Sequence, residues 1–329
     1  MTYRIITHAG CTDGFSSAFI FKKYVTYFTD LTEDDIKDAE IIPLLPRDVQ
    51  TPDEFEFTDK DILLDLPKPD TNVFFWADHH SSNKQDKMTS SDYWKVTPSC
   101  TGFLLDLAEK NGLKITKELQ DFKVAMDKID SAAYTPEEIK ACYYRQNEYT
   151  TPLQKMHQLS SLFHTRDKAL NHEIFTTVLF SKLGETPLST ESIWNFSPEV
   201  FHKAQIINYE AWREFVDEFI EEVGNTVVQD NRDVGFSKGV PDRFYAYIKF
   251  PKASYNFVLK QVDEKMLRVG LGSNIFNKKL CKVDIGKLCK EVGTKFGEGS
   301  GGGHFYVGGA TIFVENGDEA KKFILDKLK

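Results

Sequence analysis

Over the first 130 residues, short apolar runs alternate with segments of helical spacing. The stretches "YRIITH", "EIIPLL", "DILLDLP" and "TNVFFWADHH" are brief apolar runs bounded by Pro, Asp or polar clusters, a pattern that predicts strands. "FSSAFIFKKYVTYF" and "CTGFLLDLAEKNG" carry apolar residues on helical spacing, and the second closes on Asn-Gly, which predicts helices. Strands joined by helical crossovers build a mainly parallel sheet with helices on both faces. In such sheets functional polar residues gather at the carboxyl ends of the strands. His8 to Asp13, Asp65 and Asp78 to His80 fall at those ends.

The pattern then changes. From about Thr135 to Val228 the chain is richer in Glu, Gln, Lys and Asn, and "EAWREFVDEFIEEVG" has amphipathic helical spacing. Strand-like runs return in "FYAYIKF", "YNFVLKQV" and "MLRVGLGS", followed by a predicted helix, "DIGKLCKEVGTKF", and by "GEGSGGGHFYVGG". Eleven of the twenty glycines lie between residues 270 and 309, which marks this end for close backbone approach. The expected architecture is α/β in two lobes. A mainly parallel N-terminal domain (1–134) is joined by a helical connector (135–235) to a smaller C-terminal α/β domain (236–329).

Composition narrows the class. With 41% apolar and 28% charged residues, the chain is ordinary for a globular protein. No stretch approaches the roughly 18 uninterrupted apolar residues that span a bilayer, and no basic segment with an apolar core opens the chain. A cytoplasmic protein with no membrane partner is expected. Cys11, Cys100, Cys142, Cys281 and Cys289 are odd in number and lack CxxC spacing, which supports neither a disulfide framework nor a zinc ribbon. The net charge of −9 argues against a protein that coats long nucleic acid. From Pro241 onward 16 basic residues face 10 acidic ones, so this part carries +6 and the first 240 residues −15. Such a split suits a metal site opposite a phosphate clamp; uneven solvated surface charge would produce it too.

The strand ends offer His8, Cys11 and Asp13, then Asp65, then Asp78, His79 and His80, with Asp127 or Asp130 in "VAMDKIDSA". Aspartates that end buried strands are costly to desolvate unless paired or bound to a cation. Several of them converging with histidines point to a divalent metal of the Mn²⁺, Zn²⁺ or Fe²⁺ type rather than Ca²⁺. One carboxylate between two ions, with Asp65 in that place, would hold a pair suited to attack at phosphorus.

"ADHHSS" resembles the signature of the DHH phosphoesterase superfamily, and "GSGGGHFYVGG" resembles the GGGH signature of the DHH-associated C-terminal domain. "THAGCTDGFSSA" is similar to the first motif of one branch of that superfamily, while "LLDLP" and "MDKIDSA" occupy the places of the second and fourth. The resemblance covers both ends of the chain in order, and roughly residues 135 to 235 carry none of its motifs. It implies two ions, Mn²⁺ or alternatively Mg²⁺ or Co²⁺. His8 and Asp65 would hold one, and Asp13, Asp65, His79 and the fourth-motif aspartate the other. Asp127, which ends the apolar segment, is favoured over Asp130 for that last position. Asp78 would orient a histidine, and His80 would face the substrate phosphate.

The first motif departs from the superfamily pattern at Cys11, where an aspartate is usual. Two readings stand: a softer thiolate ligand, or a small buried apolar residue with one ion held by one ligand fewer. In the C-terminal part Gly301, Gly302 and Gly303 would let backbone N–H groups approach a phosphate. His304, Arg268 and Ser273 would line the same cleft. Phe305 or Tyr306 could stack a base. His157, His164, His172 and His202 show no metal-binding spacing and are expected to be ordinary structural residues.

The resemblance implies an enzyme: a metal-dependent phosphoesterase with closing lobes, acting on short oligonucleotides, dinucleotides or related nucleotides through a water activated by two metals. A homodimer through the middle helices is an open expectation. Long-DNA exonuclease action is disfavoured because no extra nucleic-acid-binding domain or basic tail is present. The rival readings are a non-catalytic nucleotide-binding or regulatory protein with a degraded metal site, and a pyrophosphate or polyphosphate hydrolase.

Overall fold

The computed structural model describes residues 2–51, 55–144, 151–162, 220–232 and 244–329. These fall into two compact units. The first comprises the described residues up to Ala133 together with 151–162, and the second comprises 134–144 and the described residues from 220 on.

In the first unit β1 (Arg4–His8) leads into α1 (Thr12–Lys23), α2 (Glu33–Ile36), β2 (Glu40–Leu44) and α3 (Pro46–Gln50). Then come β3 (Asp61–Leu64), β4 (Phe75–Asp78), β5 (Asp92–Trp94), α4 (Cys100–Lys110) and α5 (Lys117–Asp130). The chain passes through α6 (Pro136–Tyr144), which belongs to the second unit, and returns in α7 (Pro152–Leu162). The five strands are all parallel in the order β2-β1-β3-β4-β5. Chain order therefore reverses between β1 and β3, and the carboxyl ends of these strands border the crevice where sheets of this kind bind ligands.

Alternation along the strands makes two apolar layers. Ile5, Ile62 and Phe75 align in one cross-strand row, and Ile6, Leu63 and Trp76 in the next. The first row meets α1, whose Phe21 ring lies 4.7 Å from that of Phe75. The second meets Val49 of α3 with Leu66, Val73, Phe55 and Phe57, so short elements and loops, rather than a long helix, cover that face. β3 and β4 are buried on both sides, which explains why they read as unbroken apolar runs. The sequence pattern did not single out α5, although Leu119, Phe122, Ala125, Met126 and Ile129 mark its buried stripe.

The second unit is built on β6 (Ile220–Val223), β7 (Thr226–Asn231), α8 (Tyr245–Lys249), β8 (Tyr255–Gln261) and β9 (Met266–Ser273). It continues with α9 (Ile285–Phe296), β10 (Gly301–His304), β11 (Val307–Phe313) and α10 (Gly317–Lys327). Its strands run β10-β11-β9-β8-β7-β6, antiparallel except for the parallel pair β7 and β8. Ile285, Leu288, Val292 and Phe296 of α9, with Ile324 of α10, share one core with Phe257, Leu259, Val269, Leu271 and Ile312 of the sheet.

Three local expectations change. The end of "EAWREFVDEFIEEVG" is strand β6, turned onto β7 through Gly224 and Asn225, a Gly-Asn hairpin signal with Gly224 at φ 64°; residues 210–219 lie outside the described residues. "FYAYIKF" includes α8 rather than a strand, and Ala246 packs onto Val227 and Ala253. "GGGH", expected to present its backbone N–H groups to a phosphate, forms strand β10, paired with β11 through the turn at Phe305 and Tyr306. Among the described residues no helix is long and apolar enough to cross a membrane. His164, His172 and His202 lie outside the described residues, while His157 is buried in α7.

The glycines of the hairpin differ in what they do. A Cβ on Gly301 would collide with the Cys289 carbonyl of α9, and one on Gly308 would lie 2.7 Å from the Gly302 oxygen. A Cβ on Gly302 would meet nothing within 4 Å. Gly301→Ala is therefore expected to destabilise the protein by about 1–3 kcal/mol through overpacking, and Gly302→Ala to change stability by no more than about 0.5 kcal/mol. Thermal melts of the two variants check this, and equal losses would contradict it.

Candidate metal centre

The carboxyl edge of the parallel sheet carries the candidate site. β1 ends at His8, and the chain turns at Gly10 (φ 66°) before α1 begins. A Cβ on Gly14 would lie 2.6 Å from that of His8, so glycine after Asp13 lets α1 sit tightly against the strand end. Asp65 follows β3 in the left-handed region at φ 58° while its N–H still donates to the Ala77 carbonyl at 2.9 Å. Such a backbone costs on the order of 1–3 kcal/mol and concentrates at functional sites.

The side chains meet around Asp65, which is 1% exposed. Its Oδ2 lies 3.3 Å from His8 Nδ1, and its Oδ1 lies 3.3 Å from His79 Nε2. Asp13 Oδ2 and Asp130 Oδ2 approach the same His79 nitrogen at 3.6 and 3.4 Å. His79 Nδ1 stands 2.9 Å from the Thr97 carbonyl. A carbonyl only accepts, so Nδ1 carries the proton, and in the neutral ring the lone pair of Nε2 points at three carboxylates. Asp65 Oδ1 and His79 Nε2 are both buried without a hydrogen-bond partner. The arrangement calls for a positive charge at that point, and a divalent ion fits the donor set. Among the described residues, three groups of ligand atoms lie close enough together to hold one: His8, Cys11 and Asp65; Asp65, His79 and His80; and Asp13, His79 and Asp130.

The electrostatics register the same crowding. Burial raises Asp13 to about 6 and Asp130 to about 7, each also pushed up by neighbouring carboxylates. Burial works against the charged form of His79, but Asp65, Asp13 and Asp130 outweigh it and push the ring up to about 11. Burial likewise opposes charge on Asp65, yet the His79 and His8 rings hold it below the usual carboxylate range. Burial pushes the Cys11 thiol well up, with Asp65, Asp130 and Asp13 adding to it.

Supporting groups hold this cluster in place. The N–H groups of Cys100 and Thr101, at the start of α4, donate to Asp13 at 2.7 and 2.9 Å, an anchoring that helix N-termini supply. Asp78 accepts from the backbone N–H of His79 (2.8 Å), from His80 Nδ1 (2.7 Å) and from Asn83 Nδ2 (2.7 Å). Its lone pairs are engaged, and it fixes the His80 ring. Thr97 and Asn83 were not singled out by the sequence pattern; Thr97 acts through its carbonyl, which leaves no side-chain signal.

Asp127 does not join the cluster. One turn before Asp130 on α5, it accepts from Ser99 Oγ at 2.6 Å, and that hydroxyl also accepts from Gly102 N–H to cap α4. The fourth-motif carboxylate in the group is Asp130, at the end of the helix.

In the C-terminal sheet, alternation divides the expected substrate residues. Gly302 aligns with Gly309 and Gly270, Arg268 with Thr311, and His304 with Val307, which places Gly302, Arg268 and His304 on the face away from α9. Gly301 and Gly303 alternate onto the opposite face. Ser273, five residues from Arg268 on a regular strand, aligns with Tyr255 and is buried on the α9 side, so it does not line a common surface with Arg268. The Arg268 side chain makes no hydrogen bond or ion pair among the described residues. Phe305 and Tyr306 are exposed at the turn, with Lys278 Nζ 5.3 Å from the Tyr306 ring centre.

The two-unit architecture is the fold of DHH-domain proteins. The chain is similar over 99% of both lengths to a pGpG-specific phosphodiesterase, PggH of Vibrio cholerae, with TM-score 0.71 and 20% identity. It is also similar to the exonuclease RecJ bound to manganese (TM-score 0.54, 12% identity, 98% of this chain and 89% of that one). A third likeness is to CDC45 of Entamoeba histolytica (TM-score 0.57, 10% identity, 100% and 95%). No protein-family model and no curated sequence relative matches the chain.

Two outcomes are expected. Asp130→Asn should weaken Mn²⁺ binding at least about tenfold by calorimetry, a loss of about 1.4 kcal/mol, whereas Asp127→Asn should chiefly cost about 1 kcal/mol of stability through the α4 cap; the reverse pattern would restore Asp127 as the ligand. Asp13, Asp130 and His79 all bind protons more tightly in the folded state, so stability of the metal-free protein should fall as pH rises from about 4 to 7. Saturating Mn²⁺, which displaces those protons, should flatten or invert that slope. A metal-free melting temperature that climbs through this window would contradict the assignment.

Proposed function

We propose that the chain is a metal-dependent phosphoesterase of the DHH superfamily, working in the cytoplasm on phosphodiester or phosphomonoester bonds of short oligonucleotides, dinucleotides or related nucleotides. The observation that carries this reading is the Asp65 carboxylate, which addresses one oxygen to His8 and the other to His79 at the switch point of a parallel sheet. The likeness to a pGpG-specific phosphodiesterase along the whole chain supports the dinucleotide class.

His8 and Asp65 would hold one ion, and Asp65, Asp13, His79 and Asp130 a second, with Mn²⁺ the leading candidate and Mg²⁺ or Co²⁺ alternatives. Bound ions would supply activation of water and neutralisation of charge at phosphorus. His80, steadied by Asp78 and only partly exposed, would face the phosphoryl group and donate to its oxygens. Arg268 and His304 would meet the rest of the substrate as an anion, and Gly302 would leave room for close approach. Cys11 apart, the acidic and imidazole positions of the motifs are occupied by His8, Asp13, Asp65, Asp78, His79 and His80, which favours catalysis over a nucleotide-binding protein with a degraded site.

With Mn²⁺, linear pGpG is expected to be cleaved to mononucleotides. Asp65→Ala should lower kcat/KM at least about 10³-fold, since several kcal/mol of charge stabilisation are lost. His304→Ala should act mainly on KM. Chromatography of the products decides. Nucleotide binding without turnover in Mn²⁺, Mg²⁺ and Co²⁺ would replace this reading with a binding protein, and turnover of pyrophosphate alone would replace it with a pyrophosphatase.

A further inference from the structure

Cys11 stands at the N-cap of α1 with extended backbone (φ −117°, ψ 127°), yet its side chain makes no capping hydrogen bond. Ser, Thr, Asp or Asn at this position would stabilise the helix by about 1 kcal/mol, so helix capping alone does not account for a thiol there. The remaining four cysteines are buried; Cys100 Sγ donates to the Ala77 carbonyl at 3.5 Å and Cys281 Sγ to that of Ser254 at 3.3 Å. Cys11 alone among the five is partly exposed. Its sulfur and ligand atoms of His8 and Asp65 lie within 4.8 Å of one another. Asp65, 1% exposed, turns Oδ2 toward His8 at 3.3 Å in this corner, and its partnerless Oδ1 faces His79 at 3.3 Å.

We propose that Cys11 Sγ is a metal ligand, so that the His8, Cys11 and Asp65 group forms a mixed imidazole, thiolate and carboxylate site that selects borderline ions such as Co²⁺, Zn²⁺ or Fe²⁺ over Mg²⁺. On binding, the sulfur forms one bond to the ion and releases its proton to solvent. The inference rests on the reading that this group holds an ion, and goes beyond it by assigning one of the ligands and the ion class. An aspartate in that place would offer only hard oxygen, whereas a thiolate discriminates by softness.

The test is titration of the metal-free, reduced full chain with Co²⁺, followed by absorption. Wild type is expected to develop a near-ultraviolet thiolate-to-cobalt charge-transfer band together with the visible bands of bound Co²⁺. Cys11→Ser, which supplies a better N-cap and should fold, is expected to lose the charge-transfer band. Cys100→Ser should keep it. Cys11→Asp should lack the band and shift the Mg²⁺-to-Co²⁺ affinity ratio at least about tenfold toward Mg²⁺. A charge-transfer band that survives Cys11→Ser, Co²⁺ bound by wild type without the band, or no Co²⁺ binding would each overturn the proposal. The activity is tested separately: the band without turnover supports the ligand and sinks the phosphoesterase reading, and turnover without the band does the opposite.

Discussion

Three carboxylates placed around one imidazole nitrogen are the constraint on which this molecule is organised. Asp13, Asp65 and Asp130 approach His79 Nε2 within 3.6 Å, and two of them are almost completely buried. In a low-dielectric setting that much like charge is expensive unless a cation compensates it. A proton on His79 can do so in the metal-free protein; a divalent ion does so with more charge and satisfies the orphaned Asp65 oxygen as well.

The surrounding scaffold acts to hold that unfavourable grouping. A parallel sheet buried on both faces supplies rigid strand ends, and the amides that open α4 clamp Asp13. Asp78 spends its lone pairs on the turn that carries His79 and His80, and Ser99 links Asp127 to the cap of α4. None of these supporting groups needs to touch substrate. They keep the ligands from relaxing apart, which preorganised sites require. In the second unit a similar economy appears in glycine: Gly301 and Gly308 let the hairpin lie against α9, while Gly302 leaves open space on the other face.

Much of this was legible in the sequence because burial and periodicity are local signals. The apolar runs of β1, β3 and β4 end in the residues that form the site, and the motif resemblance groups His8, Asp13, Asp65 and His79. What escaped depended on direction. Asp127 and Asp130 are one turn apart on a helix that the pattern did not pick out, and only packing shows which reaches His79. Ser273 and Arg268 sit on one predicted strand, but their odd spacing sends them to opposite faces. "FYAYIKF" is too short and too evenly apolar to choose between periods, and tertiary contact with Val227 decided it. Thr97 contributes a carbonyl, which any residue type would provide.

The most direct measurement is an anomalous-diffraction map from crystals soaked in Mn²⁺. The account requires two peaks at the carboxyl edge of the parallel sheet, one beside His8 and one between Asp13, His79 and Asp130, with the Asp65 carboxylate spanning both. A map without density there, or with manganese held elsewhere while Asp65 faces none of it, would contradict the account at its foundation.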